Sequence, residues 1–292
     1  MDGPAEKIAV LGAGLARAVL EEAHGQRVGL GHAQADACLK GGILKGALHE
    51  VFPAAGGDEA AASGFAVALA GRVAARKRLL WCGTDFAVLE HGEISATGLL
   101  ELGLDPDRLL LLRVPDAISV LRAGLDALSC AALGAVIIEI PGTPKILDLS
   151  ASRRLVLAAA QSGVTAVLLR LDAEAEASAA ETRWVVRAAR SQAFTFPPPR
   201  AEVARRAGGG QRALTAPLRL ATLATSPARG GGKDWGHPRF DAELVRHRHG
   251  RTGQWVMEWN CDDRLFRAAD SGAVVAAASD RPAAMRNARR SA

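Results

Sequence analysis

The stretch Ala47-Leu48-His49-Glu50-Val51-Phe52-Pro53-Ala54-Ala55-Gly56-Gly57-Asp58-Glu59-Ala60-Ala61-Ala62-Ser63-Gly64-Phe65 decides the fold. Its first six residues read as a buried strand, Pro53 to Gly57 as a glycine-bearing loop, and the alanine-rich continuation as a helix. Strand, glycine loop, helix is the frame of a phosphate-binding loop. Such a loop needs the spacing G-x-x-x-x-G-K-[ST]: backbone N–H groups wrap the phosphates, a lysine reaches the outer oxygens, and a hydroxyl holds Mg²⁺. No Lys or Arg lies between Lys45 and Arg72, and the loop carries Asp58 and Glu59. The lysine position falls near Gly64 and the hydroxyl position near Phe65. Gly56, Gly57, Asp58, Glu59, Ser63 and Gly64 therefore outline a degenerate nucleotide loop.

Outward from this loop, apolar strands alternate with helical patterns, which predicts an α/β fold with a mostly parallel sheet flanked by helices. Further strands are expected at Arg78–Cys82, Leu109–Val114, Ala135–Ile140 and Val164–Leu171. Asp116 is the expected cap of a helix to Cys130. Ser150 is the expected cap of a second helix, ended by Gly163. Thr182 to Arg187 alternates apolar and basic residues, as an edge strand does. Glu139 closes the apolar run Val136-Ile137-Ile138.

Five segments follow from composition: a helical leader over 1–28, a core over 29–190, a Pro/Gly/Arg-rich flexible linker over 191–236, a C-terminal β-hairpin over 237–268, and a disordered basic tail over 269–292. The leader contains Gly12-Ala13-Gly14, but Arg17 stands where a dinucleotide turn needs its third glycine, so that reading is discarded. In the hairpin, Trp255, Met257 and Trp259 share one face. Packing of that face onto the sheet is the favoured reading, and a base-stacking platform the minor one.

Charge is unevenly spread. Residues 1–182 hold 16 Lys/Arg against 22 Asp/Glu, whereas 183–292 hold 20 against 9. All the C-terminal positives except Lys233 are arginines, suited to bidentate contact with phosphates or carboxylates. Arg183, Arg187, Arg190, Arg246, Arg248 and Arg251, with Trp255 and Trp259, are the candidates for DNA or partner contact. Cys38, Cys82, Cys130 and Cys261 show no C-x-x-C spacing, so no metal site is expected. Short apolar runs and the lack of a basic segment before the first of them point to a cytoplasmic protein without a membrane span or signal peptide.

The segment from Leu30 to Glu50 resembles the entry to the RecA-like core, with Asp36, Leu39, Gly41, Gly42, Leu44, Gly46 and Glu50 matching in order. The likeness extends from about Gly29 to about Arg187. Within RecA-like proteins, Leu48-His49-Glu50-Val51-Phe52, Ala151-Ser152-Arg153-Arg154-Leu155, Ser162-Gly163-Val164-Thr165-Ala166, Thr182-Arg183-Trp184 and Met257-Glu258-Trp259-Asn260 resemble the ImuA family of SOS-mutagenesis accessory proteins, sometimes labelled SulA-like. The resemblance implies a non-enzymatic component of translesion DNA synthesis that works with ImuB and an error-prone polymerase III alpha-type subunit. RecA, single-stranded DNA and a second copy of the chain are further candidate partners, and no cofactor is expected. It also implies a metal-holding, Walker-B-like position at Glu139 in place of the usual Asp, a catalytic Glu near the strand ending at Cys82, where Asp85 and Glu90 are candidates, and DNA loops at Pro141–Lys145 and Asp172–Ala177. The second loop is acidic and would repel a phosphate backbone. Two rival readings are an active RecA-like ATPase or recombinase paralogue and a SulA-like cell-division inhibitor.

Overall fold

The computed structural model describes residues 25–191 and 237–269. The leader up to residue 24, most of the expected linker and the tail from residue 270 lie outside the described residues.

The strands are β1 (Arg27–Val28), β2 (Ile43–Leu44), β3 (Leu48–Pro53), β4 (Arg78–Thr84), β5 (Leu109–Val114), β6 (Leu133–Glu139), β7 (Thr165–Leu169), β8 (Thr182–Ala189), β9 (Arg239–His247), β10 (Gly253–Asn260) and β11 (Leu265–Ala268). The helices are α1 (Ala33–Cys38), α2 (Glu59–Ala74), α3 (Asp85–His91), α4 (Ala96–Glu101), α5 (Ala117–Leu128) and α6 (Leu149–Ser162). Nine strands form one sheet in the order β11-β10-β9-β8-β3-β7-β6-β4-β5. The six from β8 to β5 run parallel, and β9, β10 and β11 continue the sheet as an antiparallel meander. The α/β class and the mostly parallel sheet flanked by helices, expected from the sequence, are borne out.

Strands β6 and β7 are almost wholly apolar, and β3 is buried from Leu48 to Phe52 although it carries His49 and Glu50, because both faces of the sheet are covered. Helix α2 lies on one face, where Phe65 and Leu69 join Val51, Trp81, Ile137 and Trp184. Helices α5 and α6 lie on the other, where Leu121, Leu128 and Leu155 join Leu48, Cys82, Val136 and Ile138. Burial of α2 extends nearly all round it: Ala62, Phe65 to Gly71, Val73 and Ala74 are all buried. A helix that is apolar on every side must be enclosed. The C-terminal strands enclose it, since Phe240 and Phe266 lie 5.7 and 5.2 Å from Phe65 between ring centroids. Trp259 reaches across to donate its indole N–H to the Leu102 carbonyl at 2.9 Å.

Three local expectations are corrected. Thr182 to Arg187 is no edge, because β9 returns to pair with β8 on its outer side. The α6 cap is Asp148, whose carboxylate accepts the Ala151 N–H at 2.7 Å, while Ser150 sits inside the first turn. The C-terminal element has a third strand, β11. Asp116 does cap α5, accepting from Ser119 N–H, and Gly163 ends α6 in the left-handed region with φ 72°.

Candidate functional site

The degenerate loop leaves β3 at Pro53 and enters α2 at Glu59, as its sequence predicts. Its backbone and carboxylates are already engaged. Gly57 N–H donates to the Glu59 carboxylate at 2.8 Å, so a side-chain oxygen takes a donor that a phosphate would need. Ala54 N–H donates to Val186 O, and the Asp58 carboxylate accepts the Ala188 N–H, both at 2.9 Å, which pins the loop to β8. Gly56 and Gly57 are exposed, with no atom within 4 Å of a Cβ added to either. Two carboxylates facing a polyphosphate repel it by about 1 kcal/mol per charge pair at 4 Å in water, and by more in a sheltered loop.

Ser63 and Gly64 lie one helical turn further on. They line a cleft of about 320 Å³ with Val67, Trp81, Arg113 and Glu139, at the carboxyl ends of β4 and β6. In open α/β sheets this end is where ligands bind. Glu139 is buried, and its carboxylate accepts the Trp81 indole N–H at 2.7 Å. A Cβ on Gly83 would meet the same oxygen at 2.8 Å, so β4 and β6 close tightly over it. Burial, reinforced by the Glu139 charge, pushes the neighbouring Cys82 thiol up to about 11, which keeps it an unreactive thiol. Asp85 and Glu90, the candidate catalytic carboxylates, sit exposed on α3. Among the described residues, no group of three or more His, Cys, Asp or Glu is placed to hold a metal.

A charged cluster that the sequence did not announce lies beneath the two post-strand loops. Glu50, 1% exposed, faces Arg183 across β3 and β8, and Arg183 Nε donates to it at 2.7 Å. The same guanidinium donates to Glu176 O at 2.5 Å and Ser178 Oγ at 3.2 Å. Arg170 donates to Gly142 O at 2.9 Å. Burial lowers the Arg170 pKa, against the opposing pull of Glu50. Both guanidinium groups lie over the Phe52 ring, at 5.7 and 5.5 Å. Arg170 and Arg183 thus tie down the loops at Pro141–Lys145 and Asp172–Ala177.

The C-terminal arginines divide by environment. Arg183 is committed to Glu50 and is not available to a phosphate. Arg187 is exposed but paired with Asp241 at 3.2 Å. Arg190, Arg248 and Arg251 are exposed. Arg246 donates to Ser178 O at 2.7 Å and, with Arg248 and Arg153 of α6, lines a shallow depression of about 350 Å³ floored by Leu149 and Ala177 to Ala179. Nothing in sequence order places Arg153 beside β9. The aromatic candidates do not form a stacking platform. Trp259 is fully buried, and Trp255 is half-buried against the core, 6.3 Å from Trp184. The packing reading of this face holds.

Fold and site together define an α/β protein with a mostly parallel sheet whose glycine loop carries carboxylates and no lysine. No protein-family model matches the chain. Among curated proteins it is similar to Protein ImuA of Caulobacter vibrioides strain NA1000 / CB15N and of strain ATCC 19089 / CIP 103742 / CB 15. Each is 29% identical over 235 residues, covering 78% of this chain and 81% of the relative. That similarity accords with the resemblance carried by the sequence phrases of this chain.

Proposed function

We propose that the chain is a non-catalytic adaptor in SOS-induced translesion synthesis, which recruits ImuB and an error-prone polymerase III alpha-type subunit, with RecA or single-stranded DNA as further contacts. The observation that carries this reading is the loop at Gly56 to Glu59, where the Gly57 N–H serves Glu59 and no lysine follows. Loss of the lysine and the Mg²⁺ hydroxyl removes two charge-assisted contacts of about 1.5–3 kcal/mol each. The sum weakens Mg·ATP binding by about two to four powers of ten, before the Asp58 and Glu59 charges are added. Recruitment then runs through surfaces, and the exposed Arg190, Arg248 and Arg251 supply basic contacts for an acidic partner segment or a phosphate backbone.

Copurification with tagged ImuB tests the reading. The full chain is expected to bind ImuB equally with and without Mg·ATP, and an Arg248→Glu/Arg251→Glu variant is expected to bind at least tenfold more weakly. Association that requires Mg·ATP, or no association at all, would overturn the proposal.

A further inference from the structure

The run Leu109-Leu110-Leu111-Leu112 has the composition of a strand buried on both faces. The sheet places it at an edge. Among the described residues strand β5 pairs only with β4, and Leu110, Leu111 and Leu112 are 40%, 44% and 36% exposed. Alternation sends Leu109 and Leu111 to the α2 face and Leu110, Leu112 and Val114 to the α5 face, consistent with Leu109 and Val114 packing on the two separate cores. Further exposed apolar side chains adjoin the same edge: Phe86 and Leu89 on α3, just past the end of β4, and Ile118 in the first turn of α5. Both apolar layers of the sheet therefore continue to its rim.

Sheet edges are ordinarily protected by charges, proline, bulges or shortness. Strand β5 has six residues and one charge, Arg113, which is drawn towards Glu93 at 3.7 Å. The opposite edge is different. Strand β11 has four residues, its Arg267 pairs with Asp263, and its Phe266 N–H already donates to Leu30 O at 2.9 Å. Head-to-tail association of sheets needs two different open edges. The described residues offer one long one, so two copies can extend the sheet only by joining like to like.

We infer that β5 pairs antiparallel with β5 of a second copy of this chain, producing a closed two-fold dimer with one sheet running through both. The leucine run is its own complement, since antiparallel pairing sets leucine against leucine on both faces. Two-fold symmetry brings each face of the sheet against its own counterpart, so the register with Leu111 opposite Leu111 of the second copy sets Leu110 against Leu112 and Arg113 against Leu109. Shifting so that Leu112 faces Leu112 sets Leu111 against Arg113, and shifting so that Leu110 faces Leu110 sets Leu112 against Arg108. The first register is the one selected. This dimer is independent of the adaptor reading, which holds or fails on ImuB binding.

Sedimentation equilibrium of the full chain at tens of micromolar tests it. The expected result is twice the 30.4 kDa chain mass. Leu111→Lys and Leu112→Lys alter exposed positions and are expected to raise the dimer dissociation constant at least tenfold, with an unchanged far-UV circular dichroism spectrum. Should either lysine variant lose its fold, Leu111→Thr keeps a strand-forming side chain and is expected to weaken the dimer in the same direction. A monomeric wild type, a dimer of unchanged affinity in the folded variants, or an open-ended filament would each overturn the inference.

Discussion

Replacing Arg183 with methionine separates a structural arginine from a nucleic-acid contact. Glu50 is 1% exposed and accepts from Arg183 Nε at 2.7 Å, so the substitution leaves a carboxylate buried with its nearest cation gone. Breaking a buried pair from one side costs about 3–5 kcal/mol, because the remaining charge keeps its desolvation penalty. The lost contacts to Glu176 O and Ser178 Oγ act in the same direction. With a urea slope of about 2–3 kcal/mol/M for a chain this size, the unfolding midpoint should fall by about 1–2.5 M. The double variant Glu50→Leu/Arg183→Met removes both charges and should regain most of that loss, since replacing a whole buried pair with apolar groups is often near neutral. Urea titration of the four proteins completes the cycle. A midpoint for Arg183→Met within about 0.3 M of wild type, or a double variant no better than the worse single, would refute the reasoning. Arg183 would then be free to serve a ligand.

Acid should destabilise the protein through His49. Complete burial lowers its pKa to about 4 from 6.5, and the neutral ring lies between the Thr182 hydroxyl and the Leu44 carbonyl, each at 2.8 Å. The unfolded chain takes up the proton first, so this stability is full above pH 6.5 and lost as pH falls towards 4. The loss amounts to about 3 kcal/mol. Urea midpoints measured across that window check it, and a flat profile contradicts it. Trp259→Ala should cost about 3–5 kcal/mol, because it empties a fully buried site beside Phe266 and removes the bond to Leu102 O. If its main effect is instead on DNA binding by an equally stable protein, the packing role fails. Gly103→Ala should unfold the protein at a lower temperature, since a Cβ there would sit 1.9 Å from Cys261 O at a φ of 70°. An unchanged melting temperature would count against the close approach of α4 to the β10–β11 turn.

The core was readable where one residue type dominated a run. Val136-Ile137-Ile138 and Val167-Leu168-Leu169 admit few readings other than buried strands, and Gly163 after a helical pattern marks a stop. Failures came where a distant segment decides the environment. Thr182 to Arg187 alternates as an edge strand does, but Arg183 is neutralised by Glu50, 133 residues earlier, and the outer side is covered by β9, more than 50 residues later. Asp148 and Ser150 are both good caps, and only backbone geometry chooses between them. Arg170 looks like the polar end of a strand in sequence, yet it is buried beneath two loops. Arg153 meets Arg246 and Arg248 only because α6 and β9 converge on the Ala177–Ala179 segment. The Leu109–Leu112 run reads as a strand, while its place at the rim depends on strand order, which local pattern does not encode.

Whether this chain works without nucleotide is tested most directly by calorimetric titration of Mg·ATP into the full-length protein. With Glu59 on the Gly57 N–H and no lysine before Arg72, no saturable binding is expected at micromolar ATP. Saturation in that range, with one nucleotide per chain, would contradict the adaptor account and restore the loop to a working phosphate site.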